Sequence, residues 1–329
     1  MRKLKLAVLA VAGGVIPMVV MSSEVAVEVY PQRPITLVVG GAPGGGVDVL
    51  ARYLATFMAD DLGQRIVVEN RPGAAGMVAA LSMTRADPDG YTVYMAGSSV
   101  IIHQLMYRQG EVNVPAEFRP VGKVAGVPVV LVKGKHLAGN TLVETLELAK
   151  QRSVTLRCAS AGAGSVGDFL CDALQINTGV QVVHVPYKVD GQALADLMEG
   201  RLDFYANNVI SLLPHIQAEH VHAVAVVSEG EFSKLGGVPS IEKSGILNAT
   251  VPSWFGLVTP KQTPDHVIAR LNRSLNAVIS QPEVRQRLMD LGFVVSPSAE
   301  SAESLEARIA SDTEQWSEIL RQRGLGGAH

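Results

Sequence analysis

Cysteine, aromatic side chains and charge are all scarce in this chain of 329 residues, which has two cysteines, 5% aromatic residues and 18% charged residues. No block of five or more basic residues occurs, and 28 Lys and Arg stand against 31 Asp and Glu. A nucleic-acid partner therefore has no electrostatic footprint here. No long apolar run follows the first one, at residues 6–21, so a bundle of membrane helices is excluded. With 47% hydrophobic residues the chain is too apolar for disorder, and its length suits about two soluble domains. Both cysteines, Cys158 and Cys171, lie far from the amino terminus, which leaves no lipid-accepting thiol at the end of a leader. One ends a strand and the other sits in the following helix; a disulfide and two buried free thiols are both open readings.

What is present begins with an export signal. Arg2, Lys3 and Lys5 precede the apolar stretch Leu6 to Met21, which Gly13, Gly14 and Pro17 interrupt and which small polar residues follow. That layout reads as a leader over residues 1–26, removed on secretion to the periplasm.

Glycine is in excess, with 32 copies, and much of it falls in two clusters. Ile35-Thr-Leu-Val-Val39 is a continuous apolar run of the kind a doubly buried parallel strand shows, and Gly40-Gly-Ala-Pro-Gly-Gly-Gly46 follows it. A helical pattern then carries Leu50, Leu54, Phe57 and Met58 on one face and stops at Gly63. Strands at 65–69 and 91–95 complete a β-α-β-α-β unit with a parallel sheet. The same grammar restarts at Val154, with Ser160-Ala-Gly-Ala-Gly-Ser165 as the loop and strands at 180–185, 202–206 and 223–227. Two extended segments, 121–132 with Pro128 inside and 251–258 with Pro252 near its start, carry the chain out of the first lobe and back. Lobe 1 is then 27–125 with 252–329, and lobe 2 is 126–251. The last helix, with Leu305, Ile309, Trp316 and Leu320 in a stripe, is scaffold.

A helix amino terminus exposes unpaired N–H groups and partial positive charge, so a glycine turn entering it can wrap an anion without Lys or Arg. Both loops stand at carboxyl ends of parallel strands, where open α/β sheets bind ligands. Two such loops facing one cleft suit a ligand with two carboxylates. The candidate ligand-binding residues are Pro43, Gly44, Gly45 and Gly46 in the first loop and Ser160, Ala161, Gly164 and Ser165 in the second. Ser98 and Ser99, after the third strand, fall on the rim. Asp48 is also a candidate ligand-binding residue, read mainly as a first-turn acid that fixes its loop by local hydrogen bonds, with contact to a ligand ammonium as the alternative.

The same residues support rival readings. Gly162-Ala-Gly164-Ser-Val-Gly167 has the dinucleotide spacing, but no acid ends the next strand, where His184-Val-Pro-Tyr187 stands. Ser165 sits in an elbow-like Ala163-Gly-Ser165-Val-Gly167, with Asp203 and then His220 or His222 in hydrolase order, so an exported serine esterase is the enzyme rival. His215, His220 and His222 could start a metal site that no Cys or clustered carboxylate completes. The reading therefore includes no metal, no cofactor and no catalytic residue.

Six motifs in order, Pro31-Gln-Arg-Pro34-Ile, Pro43-Gly-Gly45-x-x-Asp48-x-x-Ala51-Arg52, Glu69-Asn-Arg-Pro-Gly73-x-x-Gly76, Asp87-Pro-Asp-Gly-Tyr91, Val185-Pro-Tyr-Lys188 and Ser253-Trp-Phe-Gly256, carry a resemblance. The chain resembles the Bug family, the extracytoplasmic solute receptors of tripartite tricarboxylate transporters, over nearly all of its mature length. The resemblance implies an α/β, two-lobed periplasmic binding protein of type II-like build, with two hinge-crossing segments, that closes on small carboxylates without chemistry. It implies that Pro43 to Gly46 and Ser160 to Ser165 hold carboxylates, that Tyr187 and Asn207 line the opposite wall, and that a monomer delivers a small organic acid to membrane transporter subunits. A ligand-presenting sensor component is the non-enzymatic alternative. The chain departs from the family at Gly40-Gly41, at Asp168 where His is common, and at Val189-Asp190 where Gly-Gly is usual.

Overall fold

The computed structural model describes residues 30–107, 113–162, 164–187, 189–229, 232–246, 251–296 and 298–325. The leader over 1–26, Ala163, Lys188 and the side chain of Asp190 lie outside that description. From Pro31 onward the described residues pack as one compact unit.

The first half of the described chain runs β1 (Ile35–Val39), α1 (Gly46–Leu62), β2 (Ile66–Asn70), α2 (Met77–Met83), β3 (Thr92–Gly97), α3 (Ser98–Tyr107), α4 (Val114–Glu117) and β4 (Phe118–Val127). It continues through β5 (Val129–Lys133), α5 (Leu142–Gln151), β6 (Leu156–Ser160), α6 (Val166–Thr178), β7 (Val182–Pro186), α7 (Asp190–Met198), β8 (Phe204–Asn208), α8 (Val209–Gln217) and β9 (His222–Val227). The return is β10 (Ser253–Pro260), α9 (Asp265–Ile279), α10 (Pro282–Asp290) and α11 (Ala302–Gln322).

These strands form two five-stranded sheets, ordered β2-β1-β3-β10-β4 and β7-β6-β8-β5-β9. The sequence reads each sheet as parallel, and in the structure each is mixed. Within each, three strands are parallel, while β10 is antiparallel to β3 and β4 and β5 is antiparallel to β8 and β9. The antiparallel members are the crossing strands, which enter a sheet from the other half of the chain and so escape the handedness of a β-α-β unit. The single run read at 121–132 is two strands in different sheets, parted at Pro128. Proline has no N–H to give to a ladder, and its carbonyl accepts from Val209 N at 2.9 Å just as β8 passes into α8.

One apolar core runs from sheet to sheet, holding Val38, Tyr94 and Trp254 of the first together with Leu131, Cys158 and Phe204 of the second. Helix α11 bridges them. Its buried Leu305, Ile309, Trp316 and Leu320 are the stripe the sequence shows, and the Trp316 ring lies 4.9 Å from that of Phe169 in α6. A 21-residue helix with this many buried apolar side chains is held by tertiary packing rather than by propensity.

Cys158 and Cys171 form a disulfide with Cα atoms 5.7 Å apart, resolving the alternative that the sequence leaves open. The bond ties β6 to α6 on either side of the second glycine loop. With the cysteines 13 positions apart, loop-closure entropy alone gives a stabilisation of about 3 kcal/mol. Reduction with dithiothreitol, or the double change Cys158→Ala with Cys171→Ala, is expected to lower the melting temperature by roughly 5–10 °C in a thermal melt, by the entropy of unfolding for a chain of this size.

Candidate functional site

Both glycine loops are built alike. In the first, Gly44 takes φ +79°, a conformation open to glycine without strain, and its N–H donates to Asp48 Oδ2 at 2.9 Å. Asp48, only 3% exposed in the first turn of α1, also accepts from Arg52 Nε at 3.0 Å and from Asn70 Nδ2 at 2.9 Å. In the second, Gly164 takes φ +76° and its N–H donates to Asp168 Oδ2 at 2.7 Å. The other Asp168 oxygen meets His184 Nδ1 at 3.0 Å, and His184 Nε2 lies 2.7 Å from Ser160 Oγ. In each half a carboxylate at the start of a helix reaches back four residues and holds its own loop. The next strand supplies the side chain that steadies it, Asn70 from β2 and His184 from β7.

The amides of Gly44 and Gly164 are thus spoken for. Gly45 N donates to Ala42 O at 3.1 Å, Ser165 N to Gly162 O at 3.2 Å and Gly162 N to Ser160 Oγ at 3.2 Å. The chain's own acids fill the anion seat that sequence reasoning reserves for a ligand. What helix geometry leaves over are first-turn N–H groups without an intrahelical acceptor, at Gly46 and Val47 and at Val166 and Gly167.

Burial works to raise the Asp48 carboxyl, but the bonds from Arg52, Gly44 and Asn70 outweigh it and hold it below the ordinary Asp range. A carboxyl lowered in the folded state stabilises above its unfolded value, about 3.9, and that contribution is lost as pH falls through the folded value. Asp48→Asn is therefore expected to flatten the acid limb of stability below about pH 4. Urea titrations of both proteins at pH 3, 4 and 7 check this.

Between the sheets lies a cavity of about 270 Å³. From the first sheet's side come Ala75, Gly97, Ser98, Ser99, Ser253 and Phe255; from the second come Ala161, Ser165, Val166, Gly167, Ala206, Asn207 and Asn208, with Val129 beside them. Among the described residues no charged side chain lines it. Ser98 Oγ and Ser253 Oγ share a hydrogen bond of 2.9 Å, and Ser99 Oγ donates to Ala75 O at 3.0 Å. Ala75 stands at φ +53°, strained for a residue with a Cβ, at the rim itself. Asn207 is oriented from both ends of its amide, with Nδ2 donating to Tyr205 Oη at 2.6 Å and Oδ1 accepting from Asn208 N at 2.7 Å, which leaves one N–H of Nδ2 over.

Of the residues singled out by sequence, the cavity gathers Ser98, Ser99, Ala161, Ser165 and Asn207. Pro43, Gly44, Gly45, Gly46, Asp48, Ser160, Gly164 and Tyr187 do not line it. Ser160 is fully buried within the His184 network, and Tyr187 Oη donates to Asp196 at 2.6 Å. The loops do meet the opposite half of the molecule. A Cβ on Gly46 would lie 3.4 Å from Ile210, and one on Gly164 would lie 3.0 Å from Met106 Sδ. Sequence reasoning missed Asn208, Gly167, Ser253 and Phe255 as lining residues. The signal was available for the last two, which stand in the motif Ser253-Trp-Phe-Gly256. For the esterase reading, Ser165 Oγ caps α6 by accepting from Asp168 N. Asp203 is held by Arg157 and His136, and His220 lies against His215.

Two mixed sheets joined by crossing segments, with a small polar cavity between them at their carboxyl edges, define a two-lobed solute-binding protein. The chain belongs to the tripartite tricarboxylate transporter family receptor (TctC) family, whose model matches residues 50–325. It is 30% identical over 318 residues to the protein BugT of Bordetella pertussis, covering 96% of this chain and 97% of that one. A Rhodopseudomonas palustris protein solved with adipate is 28% identical, with a TM-score of 0.80 over 90% of this chain and 98% of the other. MatC from the same organism, solved with bound malate, is 29% identical, with a TM-score of 0.76 over 88% of this chain and 100% of the other. The family resemblance and the two-lobed α/β fold read from the sequence are both correct.

Proposed function

We propose that this chain captures a small dicarboxylate in the cavity between its two sheets, in the periplasm after loss of its leader, and hands it as a monomer to the membrane subunits of a tripartite transporter, with no chemistry on the ligand. The observation that carries the reading is the cavity of about 270 Å³ lined by serine hydroxyls, asparagines and helix-start amides and, among the described residues, by no charged side chain. Neutral donors that converge on one site hold a carboxylate through charge-assisted hydrogen bonds of roughly 1.5–3 kcal/mol each. Micromolar affinity needs about 8 kcal/mol net, so a few such bonds at each end of the ligand suffice. The volume suits a chain of four to six carbons, the size of the malate and adipate that the two neighbours hold. Phe255 and Val129 give the carbon frame an apolar wall.

A thermal-shift screen of succinate, malate, adipate, citrate and single-carboxylate acids tests this. A ligand at 100 times its dissociation constant adds about 2.7 kcal/mol to stability. The reading fails if no organic acid in the panel shifts the melt. Ser165→Ala is expected to weaken the ligand so found by about tenfold, the loss of one charge-assisted bond, and to cost about 1 kcal/mol of stability through the lost helix cap. Calorimetric titration and urea unfolding separate the two effects.

A further inference from the structure

A second and larger cavity, of about 480 Å³, lies away from the cleft, where the loop after β5 meets β9 and α8. Lys133, Lys135, Asn140 and His222 stand on its wall, with Ile216 and Val221 among its apolar lining. Lys133 is the last residue of β5, faces His222 across the ladder, and is only 4% exposed. Its ammonium donates to Leu137 O at 2.8 Å, and Leu137 belongs to the same cavity. An ammonium carries three donors. Among the described residues no carboxylate pairs with Lys133 or with Lys135. The acids in the neighbourhood are engaged elsewhere, Asp203 by Arg157 and His136, and Glu144 as acceptor of Asn140 N.

A buried cation without a counter-charge is costly unless something supplies the charge. Burial pushes the Lys133 ammonium below the ordinary lysine value, and an anion beside it would reverse that shift. We propose that this cavity is a second binding site, taking a small oxyanion, carboxylate or phosphate, between Lys133 and Lys135 with His222 and Asn140 as further polar partners. Lysine suits either class, since it acts as a point charge and does not demand the planar fork geometry that arginine does. The apolar Ile216 and Val221 favour an anion that carries some carbon.

Calorimetric titration of the full mature protein in a chloride buffer at pH 7, with its cleft ligand saturating, tests the proposal with inorganic phosphate and with acetate as probes. At least one probe is expected to bind, and Lys135→Ala and Lys133→Met are each expected to weaken it by tenfold or more, with the affinity of the cleft ligand unchanged in Lys135→Ala. Binding of acetate alone identifies a carboxylate site and binding of phosphate alone a phosphate site. Lys135 is exposed, so its variant remains informative if Lys133→Met fails to fold. No heat from either probe, or equal binding by wild type and Lys135→Ala, overturns the site.

Discussion

Gly167→Ala is expected to destabilise the protein by about 3 kcal/mol or more and to weaken ligand binding by well over tenfold. Gly167 is the second residue of α6 and lines the cavity. A Cβ added there would sit 2.2 Å from the carbonyl oxygen of Ala206 and 3.0 Å from its carbon. That carbonyl belongs to β8, an inner strand whose Ala206 is in register with Ser160 of β6 on one side and Leu131 of β5 on the other. The obstacle is backbone pinned from both sides, so the helix must move. Moving it carries Ser165 and Val166 away from Ala206 and Asn207, and all four residues line the same wall of the cavity. Replacing glycine by alanine inside a helix would otherwise gain about 1 kcal/mol, which makes the sign of the effect diagnostic. A Cβ on Gly191, in α7, would meet no atom within 4 Å, and Gly191→Ala should leave both stability and affinity intact or slightly improved. Thermal melts and calorimetry on the two variants make the comparison. A Gly167→Ala protein that binds as wild type would show that the first turn of α6 is free to shift.

The sequence makes the strands, the glycine loops and the buried stripe of α11 legible because each has a period or a stop signal of its own. The direction of the crossing strands is hidden from it. β5 and β10 look like any apolar run, and only their partners, which lie in the other half of the chain, make them antiparallel. The loops show a deeper limit. A glycine turn before a helix announces exposed amides, but nothing local says who takes them. Asp48 and Asp168 stand four residues beyond Gly44 and Gly164, close enough to compete with a ligand for the same N–H. Reading Asp48 as an acid that fixes its loop describes its bonds in the structure. Extending that reading to Asp168 would have moved the candidate site from the turns to the residues behind them. Ser160 shows a second limit, since a loop serine reads as accessible and this one is fully buried and bonded to His184.

Asp312→Ala is expected to cost about 3 kcal/mol, because it leaves the buried Trp254 N–H without its acceptor and leaves Arg308 with the Glu229 carboxylate in place of two. Asp312 is fully buried on α11 and accepts from Trp254 Nε1 and from Arg308 Nε, both at 2.6 Å. Arg308 in turn binds the Glu229 carboxylate and donates to Pro252 O at 2.9 Å, and Glu229 accepts from Lys123 Nζ at 2.6 Å. Lys123 lies on β4, which leads out of the first sheet, while Glu229 and Pro252 bracket the return path from β9 to β10. One buried carboxylate therefore anchors the charged group that pins both crossing segments to α11. Desolvation raises the Asp312 carboxyl, and the bonds from Trp254 and Arg308 recover only part of that shift. A carboxyl raised in the folded state favours folding at low pH and gives up that advantage as pH rises through its folded value, opposite in sign to Asp48. Asp312→Asn keeps an acceptor for Trp254 and removes the titration, so it should be milder than Asp312→Ala and should remove the Asp312 contribution to the pH profile. Urea unfolding of the wild type and both variants at pH 5 and pH 8 measures the difference. A loss below about 1 kcal/mol in Asp312→Ala would mean that water reaches Arg308 and replaces the carboxylate, and the crossing segments would then be held by apolar packing alone.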